Sequence, residues 1–252
     1  MLAEKRFDNI LRLLRERGSV SVGELCEKLG ASESTIRRDL VELHSQGRLT
    51  KVHGGATLLS GGLVTKEEPM LAKQDIAPEQ KRSVGQYAAT LIHAEDFVYI
   101  DAGSSTLSLA DSVTGEALKA AYVTNGIAHA RILAQKGCRV YLPAGRVRPS
   151  TEAIVGATTL HSLQGYNFTK AFMGANGVSL TAGFTTPDAE EAELKATVLS
   201  RSAEQWFLVD DSKFGQVYAA VICPLAGASI VTNRLPDPRY AAHVLVKETE
   251  LL

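Results

Sequence analysis

From residue 97 onward, short apolar runs alternate with longer segments of helical periodicity, and this alternation constrains the fold more than any other feature. Strands that alternate with helices of such length favour a mostly parallel sheet covered by helices on both faces. In a sheet of this kind, a ligand binds in the crevice at the carboxyl ends of the strands. The predicted strands are FVYID, AYVTN, CRVYLPAG, AFMGANG, QWFLVDD, ASIVTN and HVLVK. The helical segments before and between them include residues 78–93, 127–136 and 187–203.

The first 56 residues have a different pattern, which predicts three short helices and a β-hairpin. Apolar residues recur at helical spacing in the first two helices. The string Ser21-Val-Gly-Glu24 is a capping box at the start of the second helix, and Ser32 is the predicted N-cap of the third. Gly30 lies in the turn between these two helices, and residues 48–53 alternate like a strand. The pattern therefore predicts a winged helix-turn-helix as a first domain.

The third helix presents a small, polar and basic outer face. Its apolar stripe consists of Ile36, Leu40 and Leu43, which places Arg38 on the opposite side of the helix and Arg37 on a flank. The major groove of DNA accepts a helix, and an arginine can donate two hydrogen bonds to guanine. On periodicity alone, a small helical adaptor whose arginines are merely solvated stays open as an alternative. The predicted DNA-binding residues are Ser34, Thr35, Arg37 and Arg38 on this helix, with Lys51 and His53 on the wing.

Composition limits how the chain can attract nucleic acid. Its 27 Lys and Arg residues nearly balance its 28 Asp and Glu residues, so DNA binding has to depend on a local basic patch. The three cysteines, Cys26, Cys138 and Cys223, are too far apart for a disulfide framework or a zinc site. The N-terminus lacks the apolar core of a signal peptide, and no apolar stretch is long enough to span a bilayer. We therefore expect a cytoplasmic protein with no cofactor, no metal and no membrane partner.

The second domain carries a glycine-bearing turn directly after its first predicted strand. In Asp101-Ala-Gly-Ser-Ser-Thr106, backbone amides, hydroxyl groups and the start of the next helix can surround a phosphate. The string matches neither the dinucleotide nor the triphosphate motif, which disfavours a nucleotide-dependent regulator. An ordinary tight turn between strand and helix remains the alternative for this string taken alone.

Four further turns follow strands and are predicted to converge on the same crevice. Lys213 and Arg148 can neutralise a phosphate, while Asp101, Asn125 and Asp210 can exchange hydrogen bonds with hydroxyl groups. Lys195 is either a surface lysine or a site residue. The expected ligand is a small phosphorylated polyol. The predicted effector-binding residues are Asp101, Gly103, Ser104, Ser105, Thr106, Thr124, Asn125, Gly145, Arg148, Gly174, Asn176, Lys195, Asp210 and Lys213.

These strings resemble a known family. Residues 6–56, with T-I-R-R-D-L at residues 35–40 and H-G-G-A at residues 53–56, look like the winged helix-turn-helix of DeoR-family bacterial transcription regulators. The resemblance implies that the third helix is the recognition helix, in which we interpret Asp39 as the partner of a neighbouring arginine. Residues 75–235 are similar to the DeoR-type sensor domain, which implies the fold of ribose-5-phosphate isomerase and glucosamine-6-phosphate deaminase. One departure is Ala144, where the family usually has a glycine pair, and this substitution would narrow the crevice.

The resulting domain prediction is a DNA-binding domain at residues 1–56, a linker at 57–72 and a sugar-phosphate-sensing α/β domain at 73–252. The resemblance implies a repressor of a sugar-utilisation operon whose affinity for double-stranded operator DNA is controlled by a phosphorylated sugar. Residues 174–195 look most like the subgroup that represses fructose operons, which implies fructose 1-phosphate as the effector. Because a single helix-turn-helix reads only a half-site, we expect a homodimer or homotetramer.

The competing function is a sugar-phosphate isomerase or deaminase of the same fold with an attached helix-turn-helix. That chemistry needs a base within hydrogen-bond reach of a substrate carbon. Asp210, Asp211 and Glu193 are the available candidates. The acidic D-G-A-D-E turn of the isomerases is missing, since G-A-N-G-V stands at residues 174–178. We therefore predict a regulator rather than an enzyme.

Overall fold

The computed structural model describes residues 3–17, 19–45, 48–52, 54–58, 70, 73 and 76–249. By their internal contacts, the residues form two compact units, Met1–Leu63 and Val64–Leu252. No helix in the described ranges combines the length and the apolar character that crossing a bilayer requires.

The first unit contains three helices and a small antiparallel sheet. The elements are α1 (Ala3–Arg17), β1 (Ser19–Ser21), α2 (Val22–Leu29), α3 (Glu33–Ser45), β2 (Leu49–Val52) and β3 (Gly55–Leu58). The strand order is β1-β3-β2, with Val20 opposite Ala56. The sequence predicted only a two-stranded hairpin, because β1 has three residues and its partner lies more than thirty residues later in the chain. The hairpin extends to Leu58, two residues beyond the predicted end of the first domain.

The helix starts of the first unit lie where the sequence places them. The Glu24 amide donates to Ser21 Oγ at 3.2 Å, and the Ser21 amide donates to Glu24 Oε2 at 2.9 Å, which completes the predicted capping box. The Thr35 amide donates to Ser32 Oγ at 3.3 Å, so Ser32 caps α3. Gly30 has a φ of 60°, a left-handed conformation that favours glycine at the end of α2. The turn between α2 and α3 is therefore fixed by local chemistry.

The predicted apolar stripes of the three helices form most of the core of the first unit, and the small sheet adds Val20, Leu49 and Ala56. Its fully buried side chains include Ile10 and Leu14 of α1, Leu25 of α2, and Leu40 of α3. Each helix therefore buries one face against the other two.

The second unit is built on a parallel sheet. Its strands are β4 (Phe97–Ile100), β5 (Ala121–Thr124), β6 (Arg139–Tyr141), β7 (Arg146–Arg148), β8 (Ala153–Val155), β9 (Phe168–Met173), β10 (Gly177–Ser179), β11 (Gly183–Thr186), β12 (Ser202–Leu208), β13 (Ala220–Cys223), β14 (Ser229–Thr232) and β15 (Val246–Glu248). Seven of them form the main sheet in the order β15-β14-β12-β9-β4-β5-β6, and every neighbouring pair is parallel. These seven are the strands predicted from the apolar runs. The remaining strands form two small antiparallel sheets, β7-β8 and β10-β11-β13, which the sequence did not predict.

Helices cover both faces of the main sheet. They are α4 (Pro78–Thr90), α5 (Ser104–Ser112), α6 (Ile127–Gln135), α7 (Ala157–Leu163) and α8 (Ala189–Leu199), with short 3-10 helices at Gly115–Lys119, Asp211–Lys213, Leu225–Gly227 and Pro238–Ala242. Along β4, Val98 packs in the cluster that contains side chains of α4, α5 and α6, whereas Tyr99 packs in the cluster that contains side chains of α7 and α8. Successive strand residues point to opposite faces, so both faces of the sheet are buried. This confirms the predicted fold class.

The strand order also creates a crevice. From β4 the chain proceeds to β5 and β6 on one side, whereas β9 lies on the other side of β4. At such a reversal, the loops after the two central strands turn away from each other and leave a space at the carboxyl end of the sheet. Here those loops begin at Asp101 and Gly174.

Candidate functional site

The outer face of α3 carries the predicted DNA-contacting residues. Ser34, Arg37 and Arg38 are exposed, and Thr35 is half-buried. Arg37 Nη2 lies 2.6 Å from Glu33 Oε1, one helical turn earlier. Arg38 has no hydrogen bond or ion pair to any residue in the described ranges. Arg37 is therefore paired within the helix, whereas Arg38 is available to bind a ligand.

Asp39 has a structural role in the first unit. It is buried, and its carboxylate binds the guanidinium of Arg6 on α1, with Arg6 Nη2 at 2.8 Å from Asp39 Oδ1 and a second contact from Nε to Oδ2. The hydrogen bond with Asp39 raises the pKa of Arg6. Asp39 does pair with an arginine, but the partner is Arg6 on α1, 33 positions away in sequence, and not an arginine next to it in α3; the pair ties α3 to α1.

The wing contributes Lys51, which is exposed on β2. His53, the other predicted wing contact, lies outside the described residues. His44 Nδ1 lies 3.1 Å from the carbonyl oxygen of Leu49, which links the last turn of α3 to the start of β2.

In the second unit, a pocket lies at the carboxyl ends of β4 and β9, where the strand order predicts a crevice. The predicted effector residues that line it are Asp101, Gly103, Ser104, Ser105, Asn125, Arg148, Gly174, Asn176, Lys195 and Lys213. Further lining residues, which the sequence did not single out, include Lys73, Lys81, Thr151 and Glu191. The pocket therefore combines several ammonium groups with carboxylates and amides.

A buried ion cluster forms one part of the pocket. Lys195 is 2% exposed, and its ammonium contacts the carboxylate of Asp101 and lies 3.0 Å from Glu191 Oε1 and 3.0 Å from the carbonyl oxygen of Gly174. The Gly174 amide in turn donates to Asp101 Oδ2 at 3.1 Å. Burial lowers the pKa of Lys195, but Asp101 and Glu191 together raise it above its ordinary value. Lys195 is thus a buried, charged residue of the pocket lining and not a surface lysine, and its role toward an effector stays a prediction.

The loop after β4 is held in shape by two side chains. Asn125 Oδ1 accepts from the Ala102 amide at 3.0 Å and from the Tyr99 hydroxyl at 2.9 Å. Thr106 Oγ1 donates to the carbonyl oxygen of Asp101 at 2.6 Å and accepts from the Gly103 amide at 2.9 Å. Thr106 is fully buried and does not line the pocket. It shapes the loop that presents the first turn of α5 to the pocket.

Another part of the pocket is cationic. Lys81 of α4 is 3% exposed, and its ammonium donates to the carbonyl oxygen of Ile76 at 2.6 Å and also to that of Lys73. Burial lowers the pKa of Lys81, with Asp210 acting against this shift and Lys213 and Lys73 adding to it. Sequence analysis missed Lys81 because a lysine in an amphipathic helix ordinarily lies on the solvent-exposed face. The one sequence signal is its place near the start of the helix that precedes β4.

Asp210 positions Lys213 rather than lining the pocket itself. It is buried and caps the short 3-10 helix Asp211–Lys213, with Oδ1 accepting from the Ser212 amide at 3.1 Å. The side chain of Lys213, at the end of this helix, is half-buried in the pocket wall.

Arg148 is already engaged by two carboxylates. Its Nη2 lies 3.1 Å from Asp188 Oδ2 and 2.8 Å from Glu190 Oε2, both at the start of α8. Burial lowers the pKa of Arg148, but Asp188 and the neighbouring glutamates raise it above its ordinary value. The expectation that Arg148 neutralises a phosphate stays a prediction, and these ion pairs weigh against it.

Two more predicted effector residues lie away from the pocket lining. Thr124 is fully buried, and its Oγ1 accepts from the Gly126 amide at 3.1 Å. Gly145 packs so closely that a Cβ there would lie 2.0 Å from Thr159 Oγ1. Ala144 is exposed and does not line the pocket, so the expected narrowing by this residue is wrong.

The candidate bases of the enzyme alternative are also placed outside the pocket lining. Glu193 is exposed on α8. Asp211 exchanges two hydrogen bonds with Asn233, at 2.9 Å through its amide and 3.1 Å through its carboxylate. With Asp210 buried as a cap, none of the three lines this pocket.

Comparison with known families matches both units. Residues 6–61 match the DeoR-like helix-turn-helix domain, and residues 76–234 match the DeoR C terminal sensor domain. The curated relatives include the uncharacterized HTH-type transcriptional regulator FruR of Bacillus subtilis, 38% identical over 250 residues that cover 98% of both chains. The lactose phosphotransferase system repressor of Staphylococcus epidermidis is 36% identical over 223 residues, covering 87% of both chains. The regulator IolR of Bacillus subtilis is 31% identical over 241 residues, covering 94% of both chains.

Among solved structures, the chain is similar to ribose 5-phosphate isomerase A of Methanocaldococcus jannaschii. The two are 16% identical, the match covers 54% of each chain, and the TM-score is 0.41.

Proposed function

Because the chain belongs to the DeoR family of DNA-binding transcriptional regulators, we propose that it represses a sugar-utilisation operon under the control of fructose 1-phosphate. The family and the curated relatives are regulators, not enzymes, in agreement with the expectation from the sequence. The observation that carries the proposal is one pocket lined by Lys81 with its electrostatic neighbours Lys213 and Lys73, and also by the carboxylates of Asp101 and Glu191 that pair with Lys195. A phosphorylated polyol is complementary to both kinds of group, because its phosphate is negatively charged and its hydroxyl groups can donate hydrogen bonds to carboxylates.

The phosphate is assigned to the first turn of α5. The first amides of a helix lack carbonyl partners within the helix and favour an anion. Ser104 and Ser105 begin α5 and line the pocket with Lys213, which adds a positive charge. Lys81 lines the same space and also a neighbouring cleft that it shares with Ser104, so it too is near this helix start.

The sugar hydroxyls are assigned to the remaining polar groups. Glu191 can accept hydrogen bonds from hydroxyls, and the Asn176 side chain lines the same pocket. We take fructose as the sugar because residues 174–195 resemble the fructose-operon subgroup, and the relative named FruR is 38% identical to the chain.

The operator is assigned to the outer face of α3. Arg38 is free to donate to a base edge, and Ser34 and Lys51 are exposed where phosphates would pass in a winged helix-turn-helix complex.

The test is a titration of the DNA upstream of the neighbouring sugar operon at a stated salt concentration, with and without sugar phosphates. We expect specific binding that fructose 1-phosphate changes and that unphosphorylated fructose leaves unchanged. Specific binding that responds to a different sugar phosphate would reassign the effector. Turnover of a sugar phosphate without specific DNA binding would overturn the proposal.

A further inference from the structure

We infer that the pocket selects a sugar with one phosphate against a sugar bisphosphate, and that Glu191 is the residue that sets this selectivity. The inference rests on the proposed sugar-phosphate function and adds the class of ligand that the site rejects.

The cationic part of the pocket suits one phosphate. Lys81, Lys213 and Lys73 line it, and Lys81 interacts electrostatically with both of the other lysines and with the carboxylate of Asp210. Three ammonium groups thus lie in this part of the pocket. The start of α5 adds further attraction for an anion at the same place.

In the other part of the pocket, the cationic side chains among the described residues are already paired with carboxylates. The single ammonium of Lys195 is shared by Asp101 and Glu191, so this cluster carries a net negative charge. The guanidinium of Arg148 is likewise shared by Asp188 and Glu190. Arg148 also interacts electrostatically with Glu191, which places the two clusters next to each other.

A second phosphate would therefore lie next to carboxylates. The cationic side chains there, Lys195 and Arg148, already pair with those carboxylates. Like charges placed together across a binding interface weaken binding strongly. A hydroxyl at the same position instead donates a hydrogen bond to a carboxylate oxygen, which is a favourable charge-assisted contact. The pocket thus favours uncharged hydroxyl groups next to these carboxylates.

Within the negative part, Glu191 is the residue that reaches the ligand. Asp101 is 2% exposed and already accepts from the Gly174 amide and from Lys195. The Glu191 side chain retains 19% of its exposure and lines the pocket from the first turn of α8. Neutralising Glu191 leaves Lys195 paired with Asp101, so the buried ion pair survives the change.

The test uses two matched pairs of probes and the full-length protein. Fructose 1-phosphate is compared with fructose 1,6-bisphosphate, and glucose 6-phosphate with glucose 1,6-bisphosphate, by titration calorimetry. For the pair whose monophosphate binds, we expect the bisphosphate to bind the wild-type protein about 30-fold or more weakly. In Glu191→Gln, this ratio should fall by about tenfold. In the control Glu193→Gln, which neutralises an exposed glutamate on the same helix, it should stay unchanged.

The ratio separates selectivity from structural damage, because a variant that merely loosens the pocket weakens both members of a pair equally. Equal affinity of wild-type protein for monophosphate and bisphosphate would overturn the inference while leaving the proposed function intact. An unchanged ratio in a Glu191→Gln protein that still unfolds cooperatively would remove Glu191 as the determinant. Absence of binding by all four probes would overturn the inference and count against fructose 1-phosphate as the effector.

Discussion

Arg37 and Arg38 are neighbours in sequence, but the structure gives them different freedom to bind DNA. Arg37 is held by Glu33 at 2.6 Å, whereas the guanidinium of Arg38 is available for a base. An exposed ion pair of this kind has to be broken or rearranged before Arg37 can contact a base, although it contributes little to stability. At the scale of the residue, readout of the operator therefore depends more on Arg38.

We expect Arg38→Ala to weaken specific operator binding by about 1 to 3 kcal/mol, because a bidentate contact to a base is lost. Effector binding should be unaffected. A fluorescence-anisotropy titration with operator DNA measures the change, and Arg131→Ala, an exposed arginine on α6, is the matched control. Operator affinity equal to that of the control would remove Arg38 from the base-reading residues.

As Arg38 is predicted to bind the operator, Lys213 is predicted to bind the phosphate of the effector. In Lys213→Ala, a phosphate loses a charged partner, so the effector concentration that gives half of the DNA response should rise about tenfold or more. Operator binding without effector should be unchanged. The control is Lys119→Ala, an exposed lysine that pairs with Glu116 away from the pocket. A normal response at the wild-type effector concentration would contradict this role.

At the scale of the element, the position of α3 depends on a pair of side chains that are 33 residues apart. Asp39 and Arg6 join α3 to α1 with their side chains 6% and 13% exposed. We expect Asp39→Ala to lower the stability of the first unit by about 2 to 3 kcal/mol, because Arg6 is left largely buried without its carboxylate. Urea unfolding measures this. The control Glu33→Ala removes an exposed ion pair on the same helix and should cost below about 1 kcal/mol, and equal losses in both variants would refute the anchoring role.

A second element contact joins α6 to the loop after β4. His129 is buried, with Nε2 at 3.0 Å from the carbonyl oxygen of Gly103. Burial lowers the pKa of His129 from 6.5 to about 4, although Asp101 and Gly103 favour the charged form. Below pH 6.5, the unfolded chain therefore binds a proton that the native protein binds only near pH 4.

The contribution of neutral His129 to the free energy of unfolding is complete above pH 6.5 and is lost as the pH falls toward 4. We expect it to remove about 2 to 3 kcal/mol between pH 7.5 and 4.5, from the difference between the two pKa values. Urea unfolding across this range should show a smaller acid loss in His129→Gln than in wild type. The control His93→Gln replaces an exposed histidine and should keep the wild-type loss. The same pH dependence in all three proteins would rule out His129 as the source.

At the scale of the whole molecule, one copy of the first unit carries a single recognition helix. A helix-turn-helix reads one half-site, so we predict a homodimer or homotetramer that binds half-sites separated by about 10 base pairs or a multiple of this spacing. Sedimentation equilibrium gives the oligomeric state, and footprinting gives the spacing. A monomer that protects one half-site at full affinity would contradict this prediction.

The local patterns of the sequence determined most of the fold. The seven apolar runs became the seven parallel strands, and Ser21 and Ser32 fixed the starts of two helices. The sequence missed β1 and the small antiparallel sheets, because their strands are short and pair with distant segments. In the pocket, it found the turns after the strands but not Lys81 or Glu191.

Sequence alone therefore determined which segments are strands and helices and which turns carry polar groups, because periodicity, caps and turn residues act over a few positions. Only the tertiary structure decided which charged side chains form ion pairs with one another. Lys195 meets Asp101 across 94 positions of sequence, and Arg148 meets Glu190 across 42. Such pairings depend on strand order and burial, which bring distant residues together and remove the water that would otherwise screen them. The charge that remains for a ligand is thus a property of the folded chain.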